Sequence, residues 1–319
     1  EGKSIIFISH KLKEIQHIGD RCTILRKGQR IGTVDVADVT DEELSEMMVG
    51  RKVMLQVEKE APKIGDVCLE IDDLVVKENT EHKYNKVHHV SFKVRRGEIV
   101  AVAGVENNGQ AELVMALTGL MPASSGRMLI NGQEINDWPI RERNLGFLSH
   151  IPADRHKYGL ILDYDLANNL NLQEYFTEQF SRNGFLNANK INKYAKNLIT
   201  QYDIRTAQGP NTMVRSMSGG NQQKAILARE MNRDHDLLIA VQPTRGLDVG
   251  AIEYIHSQLV KERDNGKAIL LISLELDEVM NVSDRILVMF QGSIVANVKP
   301  DDVSERELGL YMSGSKRGE

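Results

Sequence analysis

The sequence predicts an α/β fold with a mixed sheet, an antiparallel β part and a helical part, and three observations carry that expectation. Short apolar runs, Ile99–Ala103, Leu237–Val241 and Ala268–Ile272, have the length of buried strands and are far too short to span a bilayer. Ile99–Ala103 runs into a glycine-bounded turn, Gly104-Val-Glu-Asn-Asn-Gly109, and then into a helical segment. Met217-Ser218-Gly219-Gly220 opens directly onto the good helix formers Ala225-Ile-Leu-Ala-Arg-Glu230.

Length and charge bound the answer. With 319 residues the chain is long enough for one large α/β domain plus part of another. A formal net charge of -5 gives no general attraction to nucleic acid or anionic lipid. Cys22 and Cys68 lack metal-ligand spacing, and two thiols in a chain this size suit a reducing compartment. The first residue is Glu1 and no signal peptide follows it, so the sequence reads as starting inside a larger protein.

An internal repeat supports that expectation. Ser4-Ile-Ile-Phe-Ile-Ser-His-Lys-Leu-Lys-Glu14 matches Ala268–Glu278 at a constant offset of 264 positions. The register continues without a gap through Asp20-Arg21 and Asp284-Arg285, Gly28 and Gly292, Asp38-Val39 and Asp302-Val303, to Gly50 and Gly314. Residues 1–51 therefore read as the tail of a first copy, 52–65 as a charged linker, and 66–319 as a second copy. Within the tail, Lys3–Ser9 reads as a strand.

The second copy can be taken in order. Val67–Val76 and His88–Val94 read as strands, with a turn at Arg95-Arg96-Gly97-Glu98. Adjacent strand residues point to opposite faces, so His88-His89 reads as strand surface rather than as a metal pair. Ile99–Ala103 is a buried strand, and Glu112–Gly119 is the helix after the glycine turn. Ser124–Glu134 reads as a hairpin because Asn131-Gly132 favours a tight turn. Asn144–Arg155 reads as a strand leaving through a loop. A helical part covers about 156–232. Asp236–Val241 is a buried strand ending at Pro243, followed by the helix Ala251–Glu262 and the strand Lys267–Ser273.

Both glycine turns have a phosphate-binding reading. Strand, glycine-bounded loop and helix form a phosphate cradle when the loop reads G-x-x-x-x-G-K-[ST]. Gly104 and Gly109 have that separation, and Asn107 and Asn108 lie between them, but the Lys and Ser/Thr positions hold Gln110 and Ala111. Glutamine can donate a hydrogen bond without charge, and alanine ligates nothing. Losing two charge-assisted contacts weakens nucleotide binding by roughly 3–6 kcal/mol if they add. An ordinary strand–helix turn is the alternative. Ser218-Gly219-Gly220 presents free N–H groups and a helix dipole to an anion, while a capped surface helix is its plainer reading.

Taken together these motifs resemble the nucleotide-binding domain of an ATP-binding cassette (ABC) protein, a P-loop NTPase-like fold. Ser218-Gly219-Gly220-Asn221-Gln222 resembles the signature motif, and Gln242-Pro-Thr-Arg-Gly-Leu-Asp248 the end of the Walker B strand with the D-loop. Ser9-His10 resembles the switch histidine of a preceding copy. The likeness covers essentially the whole chain and is closest to the second half of double-cassette ATPases serving sugar and nucleoside importers. The departures are equally specific. The Walker B carboxylate position is Val241, the catalytic glutamate position Gln242, the switch-histidine position Leu274 and the Q-loop glutamine position Ala153.

The resemblance implies roles for these residues. Cassettes pair head to tail, each nucleotide lying between the Walker loop of one copy and the signature of the other. Ser218, Gly219 and Gly220 would clamp the γ-phosphate of a nucleotide held by the first copy, flanked by Asn221 and Gln222. Asp248 would link the two sites, and His10 would sense the γ-phosphate. Gly104, Asn107, Asn108, Gly109, Gln110, Ala111 and Gln242 would form this copy's own, degenerate site. The implied cofactors are ATP and Mg²⁺, weak or absent in this copy, and a resident metal site is not expected. Tyr84 is better read as packing than as an adenine lid. The implied partners are the rest of the first cassette and integral membrane permease subunits touched by Ile151–Leu162. An extracellular substrate-binding lipoprotein is an indirect partner, and nucleic acid is not one. The location implied is the cytoplasmic face of the membrane. The alternatives are a double-cassette protein acting on ribosomes or DNA, and a structural pseudo-cassette.

Overall fold

Strand pairing and capping chemistry can be followed residue by residue in the computed structural model, which describes residues 2–9, 11–26, 28–54, 56–77 and 85–316. These divide into two compact units, 1–58 with 246–257, and 59–245 with 258–319.

In the first unit, α1 (Leu12–Ile18) precedes the antiparallel hairpin β1 (Arg21–Arg26) and β2 (Gln29–Asp35), and α2 (Asp41–Val49) follows. Helix α2 starts at a capping box. The Thr40 hydroxyl accepts from the Glu43 N–H at 3.2 Å, and the Glu43 carboxylate accepts from the Thr40 N–H at 2.9 Å. A small core of Ile15, Ile24, Val36 and Leu44 joins these elements. The expected strand at Lys3–Ser9 is not formed. Residues 2–9 have no ladder partner among the described residues, and Ile5, Ile6 and Ile8 are 85%, 95% and 99% exposed. An apolar strand of this type holds its shape only through neighbouring strands, and none lies beside it among the described residues.

The second unit begins with long antiparallel strands, β3 (Val67–Lys77) and β4 (Asn85–Arg95). The buried strand β5 (Ile99–Ala103) leads through the glycine turn to α3 (Gln110–Thr118). The hairpin β6 (Ser125–Ile130) and β7 (Gln133–Glu134) turns at Asn131 and Gly132. Their φ of +51° and +76° are the left-handed pair that an Asn-Gly turn supplies. Helix α4 (Ile140–Gly146) precedes β8 (Leu148–Ile151), so Asn144–Gly146 end a helix and do not start a strand.

The helical part holds a π-turn at Arg155–Gly159, α5 (Leu166–Leu170), a two-residue hairpin of β9 (Ser181–Arg182) and β10 (Phe185–Leu186), α6 (Ala188–Gln201) and α7 (Gly219–Asn232). No sequence pattern marks that hairpin, because two residues carry no periodicity. Then come β11 (Leu237–Val241), α8 (Val249–Asp264), β12 (Ala268–Ser273), α9 (Leu276–Val282), β13 (Arg285–Phe290), β14 (Ser293–Val298) and α10 (Glu305–Met312).

Two sheets result. The mixed sheet has the order β14-β13-β5-β12-β11-β8, parallel except for the β13–β14 pair, and the antiparallel sheet has the order β4-β3-β6-β7. Their facing apolar residues, among them Leu69, Val94, Val102, Leu270 and Leu287, share one core with Leu113 and Leu117 of α3. The strands β5, β11 and β12 are buried at every position, which is why they read as continuous apolar runs. Arg143, 3% exposed, fastens α3 from its C-terminal end. Its guanidinium donates to the carbonyls of Ala116 (2.6 Å), Leu117 (2.9 Å), Asn136 (2.9 Å) and Trp138 (2.9 Å). Burial lowers the pKa of that guanidinium, opposed by Asp137. No helix among the described residues is long and apolar enough to cross a membrane.

Candidate functional site

The first candidate is the turn between β5 and α3. Beta-strand pairing with β12 and β13 fixes where β5 ends, and the chain then turns through Asn107 (φ +68°) and Gly109 (φ +104°). A Cβ on Gly109 would lie 2.3 Å from the Lys86 carbonyl oxygen, so only glycine fits there. Asn108 anchors the turn. Its Oδ1 accepts from the Gln291 N–H at 2.9 Å, and its carbonyl accepts from the Gly292 N–H at 2.9 Å.

Gln110 does not reach outward as the phosphate-loop pattern suggests. Its Oε1 accepts from the Asn108 N–H at 3.1 Å, and its Nε2 donates to the Val105 carbonyl at 3.2 Å. The side chain is 5% exposed and lies so close to Gly104 that a Cβ there would be 2.3 Å from Nε2. Lysine could not do this, because it has no acceptor atom; an amide has both a donor and an acceptor and bridges the loop internally. One backbone N–H that a phosphate would use is thereby bonded within the protein. Ala111 is exposed and offers no ligating atom.

The second candidate is the N-terminus of α7. Ser218 occupies the N-cap position, but its side chain makes no cap bond. Instead its Oγ accepts from Asn221 Nδ2 at 2.9 Å, while Asn221 Oδ1 accepts from the Arg205 N–H at 2.8 Å. The hydroxyl proton of Ser218 therefore remains available to an outside acceptor. Among the described residues the N–H groups of Gly219, Gly220 and Asn221 also carry no hydrogen bond. Gln222, 5% exposed, faces inward: its Nε2 donates to the Val214 carbonyl at 3.0 Å, and its Oε1 accepts from His156 Nε2 at 2.9 Å. Lys224 is held by Asp203, donating to its carbonyl at 2.8 Å and its carboxylate at 2.9 Å, and that bond lowers the Asp203 pKa.

The remaining positions are as follows. Val241 ends β11 at 7% exposure, and Gln242 follows with φ +45°, its N–H donating to the Ile272 carbonyl at 2.7 Å. A left-handed glutamine is uncommon. Leu274, directly after β12, is half-buried. Asp248, in the first unit, accepts from the Ala251 N–H at 2.9 Å at the start of α8. His10 and Tyr84 lie outside the described residues. His89 Nδ1 lies 2.8 Å from the Asp73 carboxylate. No cluster of metal-ligating residues occurs among the described residues.

With the sheet order, the strand–turn–helix unit and the open α7 N-terminus in place, similarity to known proteins becomes decisive. The family described as ABC transporter matches residues 87–245. The fold is that of an ABC ATPase nucleotide-binding domain. The "Nucleoside import ATP-binding protein NupA" of Lactococcus lactis is 50% identical over all 319 residues, and this chain spans 62% of its length. The "Guanosine import ATP-binding protein NupO" of Bacillus subtilis is likewise 50% identical, with 62% of its length spanned. The "Ribose import ATP-binding protein RbsA" of Clostridium tetani is 37% identical over 314 residues, covering 98% of this chain and 60% of that protein. In fold, the ATP-binding subunit of an ABC transporter superposes at a TM-score of 0.63, with 22% identity, over 77% of this chain and 99% of its own.

Reading the sequence missed two residues beside the α7 N-terminus and one relation between residues it did name. Arg155 lies against Gly219, and His156 holds Gln222; both come from the π-turn, whose sequence shows no periodic pattern. Asn221 orients Ser218, a relation that the i, i+3 spacing at a helix start could have revealed.

Proposed function

We propose that this chain is the second cassette, with the tail of a first, of an importer ATPase that drives uptake of a nucleoside or simple sugar. The names of the relatives support that substrate class, and the 264-position repeat supports the double-cassette organisation, with 1–51 as tail, 52–65 as linker and 66–319 as the second cassette. The observation that carries the site assignment is the contrast between the two helix N-termini. Gln110 closes the α3 loop upon itself, whereas Ser218, Gly219 and Gly220 keep their donors open.

On this reading the signature serves a nucleotide bound by the first cassette. Ser218 O–H and the backbone N–H groups of Gly219 and Gly220 donate to its terminal phosphate, and the α7 dipole adds favourable potential. Mg²⁺ and ATP reside mainly in that site. This copy's own site, with Gln110 and Ala111 after the β5 turn and Val241 and Gln242 at the end of β11, has no cation for the phosphates, no carboxylate for the metal and no base. The chain alone is then a weak ATPase or none. Asp248 links the two sites, and His10 completes the working one. Ile151–Leu162 meets the permease subunits at the cytoplasmic membrane face, and the extracellular binding lipoprotein delivers substrate to them.

The test is hydrolysis by the intact importer. Ser218→Arg should abolish most turnover, while Gln110→Ala should change it little. Equal losses would overturn the assignment.

A further inference from the structure

We infer that Arg155 is a phosphate-facing residue of the signature site, acting beside Ser218 and Gly219; this rests on the reading that the signature meets a nucleotide held by the other cassette. The guanidinium lies where a Gly219 side chain would stand. A Cβ at 219 would be 2.9 Å from Nη2 and 3.3 Å from Cζ. Glycine at 219 thus does more than free the backbone: it makes room for a cation at the mouth of α7.

That cation is poorly satisfied. A guanidinium has five N–H donors. Among the described residues Arg155 makes one hydrogen bond, from Nη1 to the Arg245 carbonyl, at a long 3.4 Å. Its Nε is buried and has no hydrogen-bond partner among the described residues. The adjacent carboxylate is not among its partners: Asp154 turns Oδ1 to the N–H groups of His156 (2.9 Å) and Lys157 (3.0 Å). Those two bonds hold the Asp154 pKa down, the Lys157 bond foremost.

The placement of this arginine is enforced by the turn that carries it. His156 bonds Gln222 of α7 at 2.9 Å. Gly159 abuts Ile226, leaving 2.6 Å to a would-be Cβ, and its carbonyl accepts from Arg229 Nη1 at 2.8 Å. The turn is therefore fastened to α7 on the C-terminal side of Arg155, and the guanidinium is held at the helix start. A positive charge beside the positive end of a helix dipole is unfavourable in isolation. The arrangement becomes favourable when a multiply charged anion enters between them, and a phosphate offers oxygens for both the fork of the guanidinium and the backbone N–H groups. The terminal phosphate of a nucleoside triphosphate is that anion, and the same turn is expected to face the permease, so Arg155 joins the transport subunits to the phosphate by one residue.

The experiment measures ATP hydrolysis by the intact two-cassette importer with Arg155→Ala, Arg155→Lys and Ser218→Arg. Arg155→Ala should lower kcat about ten- to a hundredfold, the loss of one charge-assisted bond. The KM for ATP should move much less, because the other cassette holds most of the nucleotide. Arg155→Lys should retain an intermediate rate, and free guanidinium ion at non-denaturing concentration should restore part of the Arg155→Ala loss. Loss with Ser218→Arg but wild-type kcat with Arg155→Ala would overturn the role of Arg155 and leave the signature reading standing. Full activity in Ser218→Arg would overturn both. A loss in Arg155→Ala that neither lysine nor guanidinium relieves would mark Arg155 as holding the turn only, and would equally overturn its phosphate-facing role.

Discussion

Replacing Gln110 by Lys and Ala111 by Ser together should convert the closed loop after β5 into one that binds Mg-nucleotide. The magnitude follows from the two bonds the glutamine makes, to the Asn108 N–H and the Val105 carbonyl. Each neutral bond contributes about 0.5–1.5 kcal/mol net, so a phosphate entering the wild-type loop gives up about 1–3 kcal/mol to displace the side chain. Lysine cannot accept from Asn108, which frees that N–H, and its ammonium adds a charge-assisted bond of about 1.5–3 kcal/mol. The double variant should therefore bind more tightly by about 2.5–6 kcal/mol, roughly two to four decades, reduced by any coupling between neighbouring positions. Titrating a fluorescent ATP analogue into the wild-type chain, Gln110→Ala and the double variant, with and without Mg²⁺, measures this directly. Gln110→Ala isolates the self-closure and should gain about 1–3 kcal/mol at most. Micromolar Mg-dependent binding by the wild type, or a double variant no tighter than wild type, would refute the reasoning.

Three further outcomes concern stability. Arg143→Met should destabilise the second unit by about 3–5 kcal/mol, since four carbonyls lose a buried donor, and a denaturant midpoint barely moved would contradict that. Burial pushes the His150 pKa down from 6.5 to about 4, with Glu230 opposing and Arg229 reinforcing the fall. The unfolded chain then binds the extra proton, so stability is full above about pH 6.5 and erodes toward pH 4, by about 2 kcal/mol between pH 6.5 and 5. His150→Asn should flatten that slope in chemical denaturation, and an unchanged slope would place the titration elsewhere. Thr40→Ala removes the capping box of α2 and should cost the first unit about 1 kcal/mol, read as a lowered unfolding midpoint of that unit.

How much was legible depended on the range of the interaction. The strands β5, β11 and β12 are buried at every position, and apolar throughout but for Ser273, because both faces of the sheet are covered, and that pattern survives in the sequence. The turn at Asn131-Gly132 was equally legible, since its residues favour positive φ whatever surrounds them. Lys3–Ser9 failed for the opposite reason: it has the composition of a buried strand, but pairing requires a neighbour, and residues 2–9 have none among those described. Asn144–Gly146 was misassigned because a seven-residue helix gives too little periodicity to compete with the apolar residues that follow.

The same division runs through the candidate site. By itself the sequence determined which residue types stand at each motif position: amide and alanine where a lysine and a hydroxyl would bind phosphate, and Ser-Gly-Gly at the head of α7. Those are statements about donors, acceptors and charge, and they hold in any conformation. Only the tertiary structure decided where the atoms point. It turned Gln110 into its own loop, tied the Ser218 oxygen to Asn221, buried Gln222 against His156, and laid Arg155 over Gly219 from 64 positions away in the chain. A side chain's hydrogen-bond capacity is a local property, but its choice of partner depends on which distant groups the packed sheet and helices bring within about 3 Å.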